Sequence, residues 1–388
     1  MTQPLRPSLK SLLAVLALVA GTARTGRGEA TVAYKYEDYQ ESGGRIGVRT
    51  QGALVEGTIG TVTTVRVNGV IDAIAGATPN GQRAPAGSDQ VVLTSITERR
   101  KAWNTEIARQ FPRLNVTLGA ANSREGDYVS TAFSLNTVTD FNQKNTALLA
   151  GAAVTTDDIK AFYRFPSPVL GKRTLDFILG ATQVLDPRTS VSVNVTFSRA
   201  YGYLNDQYKL VQKSTEIVPG VFLPLTFPEN RPDRRVKWIT LATLNRAFPD
   251  ARAALEGSYR FFRDDFGIVS HTLGLTWLQR VGSRVTLEPH VRWYRQDAAH
   301  FYYYNLDQTP VVPVFGAPRP QGPFYSSDYR LSALDSLTLG LKASWKVSDK
   351  LEINAAWKVY DLQGRDGTTP ASAYSRAVIT SVGLKFSW

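Results

Sequence analysis

The stretch "LTLGLKASWKV", from Leu337 to Val347, has an apolar residue at every odd position and a polar or small residue at every even one. A β-strand places successive side chains on opposite faces, so this stretch predicts a strand with one apolar and one charged face. After a tight turn, segment 351–359 repeats the pattern, with Glu352 and Lys358 opposite its apolar residues. The two segments together predict an antiparallel pair of strands.

The same period of two recurs in long segments throughout the chain after residue 30, and almost no stretch there has a helical period. We predict sixteen strands, or fourteen if the weakly patterned region 143–172 is left out. Both counts are even, as expected for a bacterial outer-membrane barrel with both ends in the periplasm. The sixteen segments are 31–40, 45–57, 61–73, 97–111, 114–124, 127–139, 143–155, 172–185, 189–201, 234–248, 251–263, 268–281, 285–298, 330–347, 351–362 and 376–388.

A soluble β-sandwich also alternates, so the period alone does not place the strands in a membrane. Strand length and the asymmetry of the connections favour a membrane barrel, which needs 9–11 residues per crossing and has short turns at one end and long loops at the other. The expected long loops lie around 75–95, 203–235 and 300–328. The fold prediction is therefore all-β: a transmembrane, antiparallel, up-and-down β-barrel.

The chain ends in "VITSVGLKFSW", whose alternate residues are apolar and whose last residue is aromatic. This end resembles the sorting signal that the bacterial barrel assembly machinery reads, with matches at Gly383, Leu384, Phe386 and Trp388. The alternative is a final sandwich strand that happens to end in tryptophan. With the resemblance, we expect the assembly machinery, outer-membrane lipid and lipopolysaccharide to be partners of the chain.

The N-terminus has the pattern of a secretory signal peptide. Arg6 and Lys10 precede a short apolar run that ends at Ala20, and small residues follow. The run is about half of the ~20 residues that a spanning helix needs. We expect residues 1–30 to be a signal peptide, cleaved after Ala23 or Ala30, and residues 31–388 to form the barrel in the outer membrane of a Gram-negative cell.

The composition excludes several classes of function. The chain has 388 residues and no cysteine, which rules out thiolate metal sites, thiol catalysis and covalent c-type haem. The formal net charge of +12 would suit nucleic acid, but an exported protein rarely meets it, so lipopolysaccharide phosphates or anionic solutes are the expected partners. No metal-ligand spacing, phosphate loop or dinucleotide fingerprint is present.

Several segments together resemble one bacterial family, domain of unknown function 3570, a group of outer-membrane barrels. The resemblance implies a porin-like transmembrane barrel and an outer-membrane location, and it brings no activity with it. The segments are "YKYEDY" from Tyr34, "DAIAGATP" from Asp72, "GYLNDQYK" from Gly202, "YRFFRDDFGI" from Tyr259, "WYRQDAAHFYYY" from Trp293 and "YSSDYRLSALDSLTLGLK" from Tyr325.

The segment "DAIAGAT" also resembles the acceptor motif at which periplasmic flavin transferases attach FMN to the final threonine. Asp72, Gly76, Ala77 and Thr78 match the motif, whereas Ala75 stands where Ser or Thr is usual. The resemblance implies covalent FMN at Thr78, with a flavin transferase and redox proteins as partners. The alternative is that this segment ends a strand and turns a loop. Our strand count puts Thr78 on the outer side, whereas a periplasmic transferase would have to reach it before insertion.

Charged residues on the face opposite the apolar one provide a second functional signal. A lumen lined by them would favour anions, although some would pair with Glu288 and Glu352. The six residues are Arg280, Arg292, Lys342, Lys346, Lys358 and Lys385. We therefore expect a pore or scaffold for a small solute, with anions among the candidates, and without catalysis of its own. The alternatives are a flavinylated barrel for electron transfer and an outer-membrane lipid hydrolase that uses His271 beside Ser270.

The aromatic run 301–304 follows a strand end, where membrane barrels carry a belt of Tyr and Trp. We expect this run to belong to that interfacial belt. A ligand platform is the alternative.

Overall fold

The computed structural model describes residues 30–85, 87–162 and 166–388. Residues 1–29 of the expected signal peptide lie outside the described residues, and Ala30 begins the first strand. Sixteen antiparallel strands form one closed barrel, which confirms the predicted fold and the larger strand count. Among the described residues, no helix is long and apolar enough to cross a membrane.

The barrel strands are β1 (Ala30–Glu41), β2 (Gly47–Ile59), β3 (Thr63–Pro79), β4 (Leu93–Gln110), β5 (Leu114–Arg124), β6 (Tyr128–Phe141), β7 (Thr146–Lys160), β8 (Val169–Asp186), β9 (Thr189–Gly202), β12 (Arg234–Phe248), β13 (Ala253–Asp264), β14 (Val269–Val281), β15 (Val285–Gln296), β16 (Leu334–Lys346), β17 (Leu351–Gly364) and β18 (Arg376–Ser387). A separate hairpin of β10 (Leu210–Val218) and β11 (Val221–Pro228) lies in the connection between β9 and β12.

The barrel closes where the first and last strands meet. The backbone N–H of Ala30 donates to the Trp388 carbonyl oxygen at 3.0 Å, and the N–H of Trp388 donates to the Ala30 carbonyl at 3.0 Å. Because no strand edge is left unpaired, every backbone group within the bilayer is satisfied by a neighbouring strand. The C-terminal strand therefore completes the wall of the barrel.

The alternation in the sequence becomes the two faces of the wall. Leu337, Leu339, Leu341 and Trp357 are each roughly half exposed, as expected for side chains that face lipid. The residues between them point into the barrel, because a strand alternates its side chains. A closed barrel of this type places the protein in the bacterial outer membrane.

Strand β3 is longer than the sequence suggested. It pairs with β4 without interruption from Thr63↔Arg109 to Pro79↔Leu93, so residues 74–79 belong to the sheet and the loop begins after Pro79. The sequence pattern ended at residue 73 because the alternation of apolar residues stops there. The backbone pairing continues because the sheet extends past the apolar belt.

The connections differ between the two ends of the barrel. The end that holds both termini has turns such as 111–113 and 282–284, and we call it the short-turn end. The opposite, loop end carries the two longest connections, 203–233 and 297–333, which we call the cap. In an outer-membrane barrel the short turns lie in the periplasm, so the cap lies outside.

The cap spans the mouth of the barrel. On one side, the N–H of Leu210 donates to the Asn80 carbonyl oxygen at 2.7 Å, beside β3. On the other, the N–H of His300 donates to the Phe266 carbonyl at 2.9 Å, between β13 and β14. These two attachment points lie half-way around the strand order from each other. The two connections join through paired backbone hydrogen bonds between Asn230 and Tyr325, so the cap crosses the diameter of the mouth.

The buried apolar core of the described chain lies in and under this cap. Phe266, Phe301 and Leu331 pack in one cluster, and Val211, Leu306 and Tyr325 pack in another. The run 301–304, expected to form an interfacial belt, is instead part of the cap. Phe301 is buried, and the Tyr304 hydroxyl accepts a hydrogen bond from the N–H of Ala84. The connection folds back over the mouth, which the local sequence pattern does not encode.

Candidate functional site

The six cationic residues expected in the lumen all lie on the inward-facing positions of β14 to β18. Lys342 donates to Glu288 at 2.9 Å. Glu352 lies directly across from both Lys346 and Lys385 in the neighbouring strands. The remaining three, Arg280, Arg292 and Lys358, form no ion pair with any described residue.

The inward face of the barrel is divided by charge. On β12 to β18, basic residues outnumber acidic ones. On β1 to β9 the excess is acidic, so the two arcs face each other across the lumen. The basic arc carries Arg235, Lys237, Arg260, Arg280, Arg292, Lys342, Lys346, Lys358 and Lys385 with Glu256, Asp264, Glu288 and Glu352; the acidic arc carries Glu37, Glu41, Glu56, Asp72, Glu98, Glu106, Asp140, Asp157 and Asp176 with Lys35, Arg66, Arg100 and Lys172.

A cavity of about 490 Å³ lies where the basic arc meets the cap. The wall contributes Arg235, Arg260 and Tyr294. The cap contributes Arg231 and Arg330 together with the acidic residues Asp206 and Asp328. Arg260 points into this cavity over the ring of Phe262 and has no carboxylate partner among the described residues. The other three lining arginines are paired with carboxylates, so Arg260 is the unpaired cation that this cavity presents to an entering solute.

Asp328 is the centre of an ion-pair network that holds the cap together. Its carboxylate is buried, accepts from Arg231 at 2.9 Å and from Arg330 at 2.8 Å, and so connects the two cap connections. Burial alone disfavours the charged form, but Arg330, Arg231 and Lys209 outweigh it and lower the pKa of Asp328 below its ordinary range. Asp328 is therefore ionised at neutral pH and helps to neutralise the buried Arg231 and the partly exposed Arg330.

Glu229 belongs to the same network but behaves differently. It pairs with Arg231 at 2.7 Å and accepts from the Ser326 hydroxyl at 2.5 Å. Because Arg231 is shared with Asp328, its charge does not offset the burial of Glu229, and burial raises the pKa of Glu229 to about 7. This carboxyl titrates near neutral pH inside the cap.

The raised pKa of Glu229 predicts that the cap becomes less stable between about pH 5 and pH 8. The folded cap holds the proton more tightly than the unfolded one, so this stabilisation is complete at low pH and is lost as the pH rises through about 7. Hydrogen-exchange protection of the amides in 203–233, corrected for intrinsic exchange, should fall over this range. Glu229→Gln should flatten the dependence, and a slope that survives this substitution would contradict the assignment.

The residues of "DAIAGAT" each make contacts that belong to the wall and the cap. The buried carboxylate of Asp72 pairs with Arg100 at 2.5 Å on the inward face. Gly76 has φ of +136°, and an added Cβ would collide with the Arg45 carbonyl oxygen, so glycine is required there. Ala77 pairs with Ser95 in β4. These contacts account for an aspartate at position 72 and a glycine at position 76 without any role in binding a flavin.

Thr78 lies at the junction of the wall and the cap. Its hydroxyl accepts from Lys209 at 3.3 Å, and the same buried ammonium donates to the Pro79 carbonyl at 2.5 Å. Burial lowers the pKa of Lys209. With the cap folded, Lys209 occupies the space beside the hydroxyl. The attachment of FMN at Thr78 stays a prediction from the sequence, and the attachment would have to take place before the cap closes.

The residues considered for hydrolysis do not form a catalytic pair. Ser270 and His271 are adjacent on β14 and therefore face opposite sides of the wall. The His271 ring lies on the outer face, where its Nδ1 contacts the Tyr259 hydroxyl at 2.7 Å. Within the described part of the chain, no group of three or more acidic or histidine side chains is placed to hold a metal ion.

The sequence reasoning missed the cap residues that form the charged cavity. Arg260 could have been found, because it occupies an inward position on β13 by the same parity as Glu256. Arg231, Asp328 and Glu229 could not, since they lie in connections without a period and meet only in the folded chain.

The chain is similar to several solved outer-membrane proteins at low sequence identity. The chain is similar to a ferric enterobactin receptor from Pseudomonas aeruginosa, with 12% identity, a TM-score of 0.46 and coverage of 91% of this chain and 60% of the receptor. It is also similar to a loop-deletion mutant of OmpT, an outer membrane protein of Vibrio cholerae, with 8% identity, a TM-score of 0.44 and coverage of 93% and 99%. A bacterial polysaccharide outer membrane secretin matches with 8% identity and a TM-score of 0.46, covering 93% of this chain and 98% of that one.

The receptor comparison spans less than two thirds of that protein's length, and all three likenesses concern the fold alone. A search of curated protein sequences finds no match. A family model, by contrast, matches residues 12–376, nearly the whole chain. The match agrees with the resemblance found in the sequence and with the closed sixteen-stranded barrel. The chain therefore belongs to the family described as "Protein of unknown function (DUF3570)".

Proposed function

We propose that this barrel passes a small anionic solute across the outer membrane and that the cap controls its entry. The observation that carries the proposal is the cavity beneath the cap, in which Arg260 has no carboxylate partner among the described residues. A cationic side chain that is neutralised by no fixed acid attracts a mobile anion instead.

Further unpaired cations lie along the basic arc. Arg292 and Lys358 also lack an ion-pair partner in the described chain, and Arg292 lies on β15, two strands from Arg260 and two residues nearer the short-turn end. An anion leaving the cavity would therefore meet further cations on its way to the short-turn end. The acidic arc on the opposite wall would repel it toward the basic side.

The cap supports control of entry. It crosses the mouth, buries apolar clusters and holds its two connections together through Asp328. A loop assembly of this kind has to shift before a solute can reach the lumen from outside. Opening would be favoured by anything that weakens the charged network, because the buried Arg231 would then lose part of the negative charge that neutralises it.

Anion selectivity is tested by reversal potentials in planar bilayers under a KCl gradient. We expect the wild type to prefer chloride over potassium, and the Arg260→Gln/Arg292→Gln variant to lose most of that preference, because both cations face the lumen. The matched control is Arg263→Gln/Arg295→Gln, which removes the same charges from the outer faces of β13 and β15.

Two results would contradict passage of anions. One is a cation-selective wild type, or a lumen variant with the same reversal potential as the wild type. The other is the absence of conductance from both the wild type and the Asp328→Ala variant, in which the cap is expected to open.

A further inference from the structure

The lipid-facing surface of β8, β9 and β12 carries a cluster of cations that the lumen argument does not use. Arg173 and Arg234 lie directly on either side of Tyr201 in the neighbouring strands. Arg199 lies two residues from Tyr201 on the same face of β9. Since directly paired residues are about 5 Å apart, the three arginines surround one tyrosine. We call them the arginine triad.

The triad has no internal counter-charge. Arg173, Arg199 and Arg234 are exposed, and none of them forms a hydrogen bond or an ion pair through its side chain with any described residue. Two acids lie close to the triad on this outer face: Asp158, diagonally across from Arg173 on β7, and Asp265, whose carboxylate accepts from the N–H of Val236 beside Arg199. Neither forms an ion pair with the triad. Three unneutralised guanidinium groups in one place repel each other, which is costly unless an external anion binds.

The surroundings of the triad identify the anion. Toward the bilayer centre, Phe177, Phe197 and Trp238 form one row across the same three strands. Phe197 and Trp238 are in edge contact, with ring centroids 4.8 Å apart. Aromatic rings in a barrel wall mark the boundary between acyl chains and head groups. The arginines lie two and four residues beyond this row, toward the loop end, and therefore at head-group depth.

We propose that the arginine triad binds the phosphate groups of lipopolysaccharide in the outer leaflet. Lipid A combines phosphates with acyl chains, so its phosphates would meet the arginines while its chains pack on Phe177, Phe197 and Trp238. Guanidinium groups are well suited to this role because their planar N–H donors match phosphate oxygens. The site lies on the outside of the wall and is independent of passage through the lumen.

The test measures protection by lipid during thermal unfolding. The refolded full-length barrel, in neutral detergent, is titrated with phosphorylated lipopolysaccharide, with enzymatically dephosphorylated lipopolysaccharide, and with inorganic phosphate. We expect the phosphorylated lipid to raise the unfolding temperature at concentrations at which the other two do not. The Arg173→Gln/Arg199→Gln/Arg234→Gln variant should need a lipid concentration at least about tenfold higher for the same rise in unfolding temperature, since each charged hydrogen bond contributes substantially to binding.

The matched control is Arg109→Gln/Arg113→Gln/Arg188→Gln, which removes the same charge from the short-turn end. This control should respond like the wild type. If the variant with all three triad arginines replaced folds poorly, Arg199→Gln alone gives the same comparison, with a smaller increase in the lipid concentration required. Equal responses of wild type and triad variants would overturn the proposal, as would equal protection by the dephosphorylated lipid or by inorganic phosphate.

Discussion

Replacing Asp328 with alanine is expected to release the cap from the mouth of the barrel. The carboxylate accepts hydrogen bonds from both Arg231 and Arg330 and is 2% exposed, so its loss leaves the buried Arg231 with only Glu229, and the partly exposed Arg330 with only Asp206, as an acidic partner. Removing one member of a buried ion pair typically costs about 3–5 kcal/mol. That cost falls on the cap, because the strands of the wall are held by their own backbone pairing.

Limited proteolysis and single-channel recording measure the result. Connections 203–233 and 297–333 should become cleavable while the barrel strands stay protected, and the conductance of the released barrel should rise. The control is Asp297→Ala, which removes an exposed carboxylate that pairs with Arg365 at 3.1 Å. Such surface pairs contribute about 0–1 kcal/mol, so this variant should behave like the wild type. A protected cap in Asp328→Ala would show that the network does not hold it.

Replacing Leu341 with lysine is expected to destabilise the barrel itself. Leu341 lies on the outer face of β16, between Pro289 and Trp357, and its side chain is 47% exposed in a position that meets lipid. A lysine on the lipid face near the bilayer midplane costs about 2–4 kcal/mol. The free energy of unfolding in lipid vesicles, measured with urea, should fall by that amount.

The control for Leu341→Lys is Ser381→Lys. Ser381 lies one row from Leu341, because it pairs with Ala356, which pairs with Lys342, and it points into the lumen opposite Glu37. A lysine there stays in a polar environment, so the free energy of unfolding should change little. Equal losses in the two variants would mean that the two faces have been assigned wrongly.

The strands and their faces could be predicted from the sequence because the period of two is a local property. Each residue of a segment such as 337–347 faces either lipid or lumen, and the lipid side requires apolar side chains. The strands of region 143–172 are harder to predict, because β7 carries small residues such as Ala150 and Gly151 on both faces and so lacks a clear alternation. There the pairing of β7 with β6 and β8, which depends on the backbone, decides the structure.

The sixteen-stranded barrel, its short-turn end and the inward parity of residues such as Arg292 and Lys358 could all be predicted from the amino-acid pattern. The cap and the sites that depend on it could be found only in the folded chain. Arg231 and Asp328 lie 97 residues apart in connections without a period, and their contact exists because both connections fold over one mouth. The arginine triad also requires the sheet, since register between strands, which no single segment encodes, places its members around Tyr201.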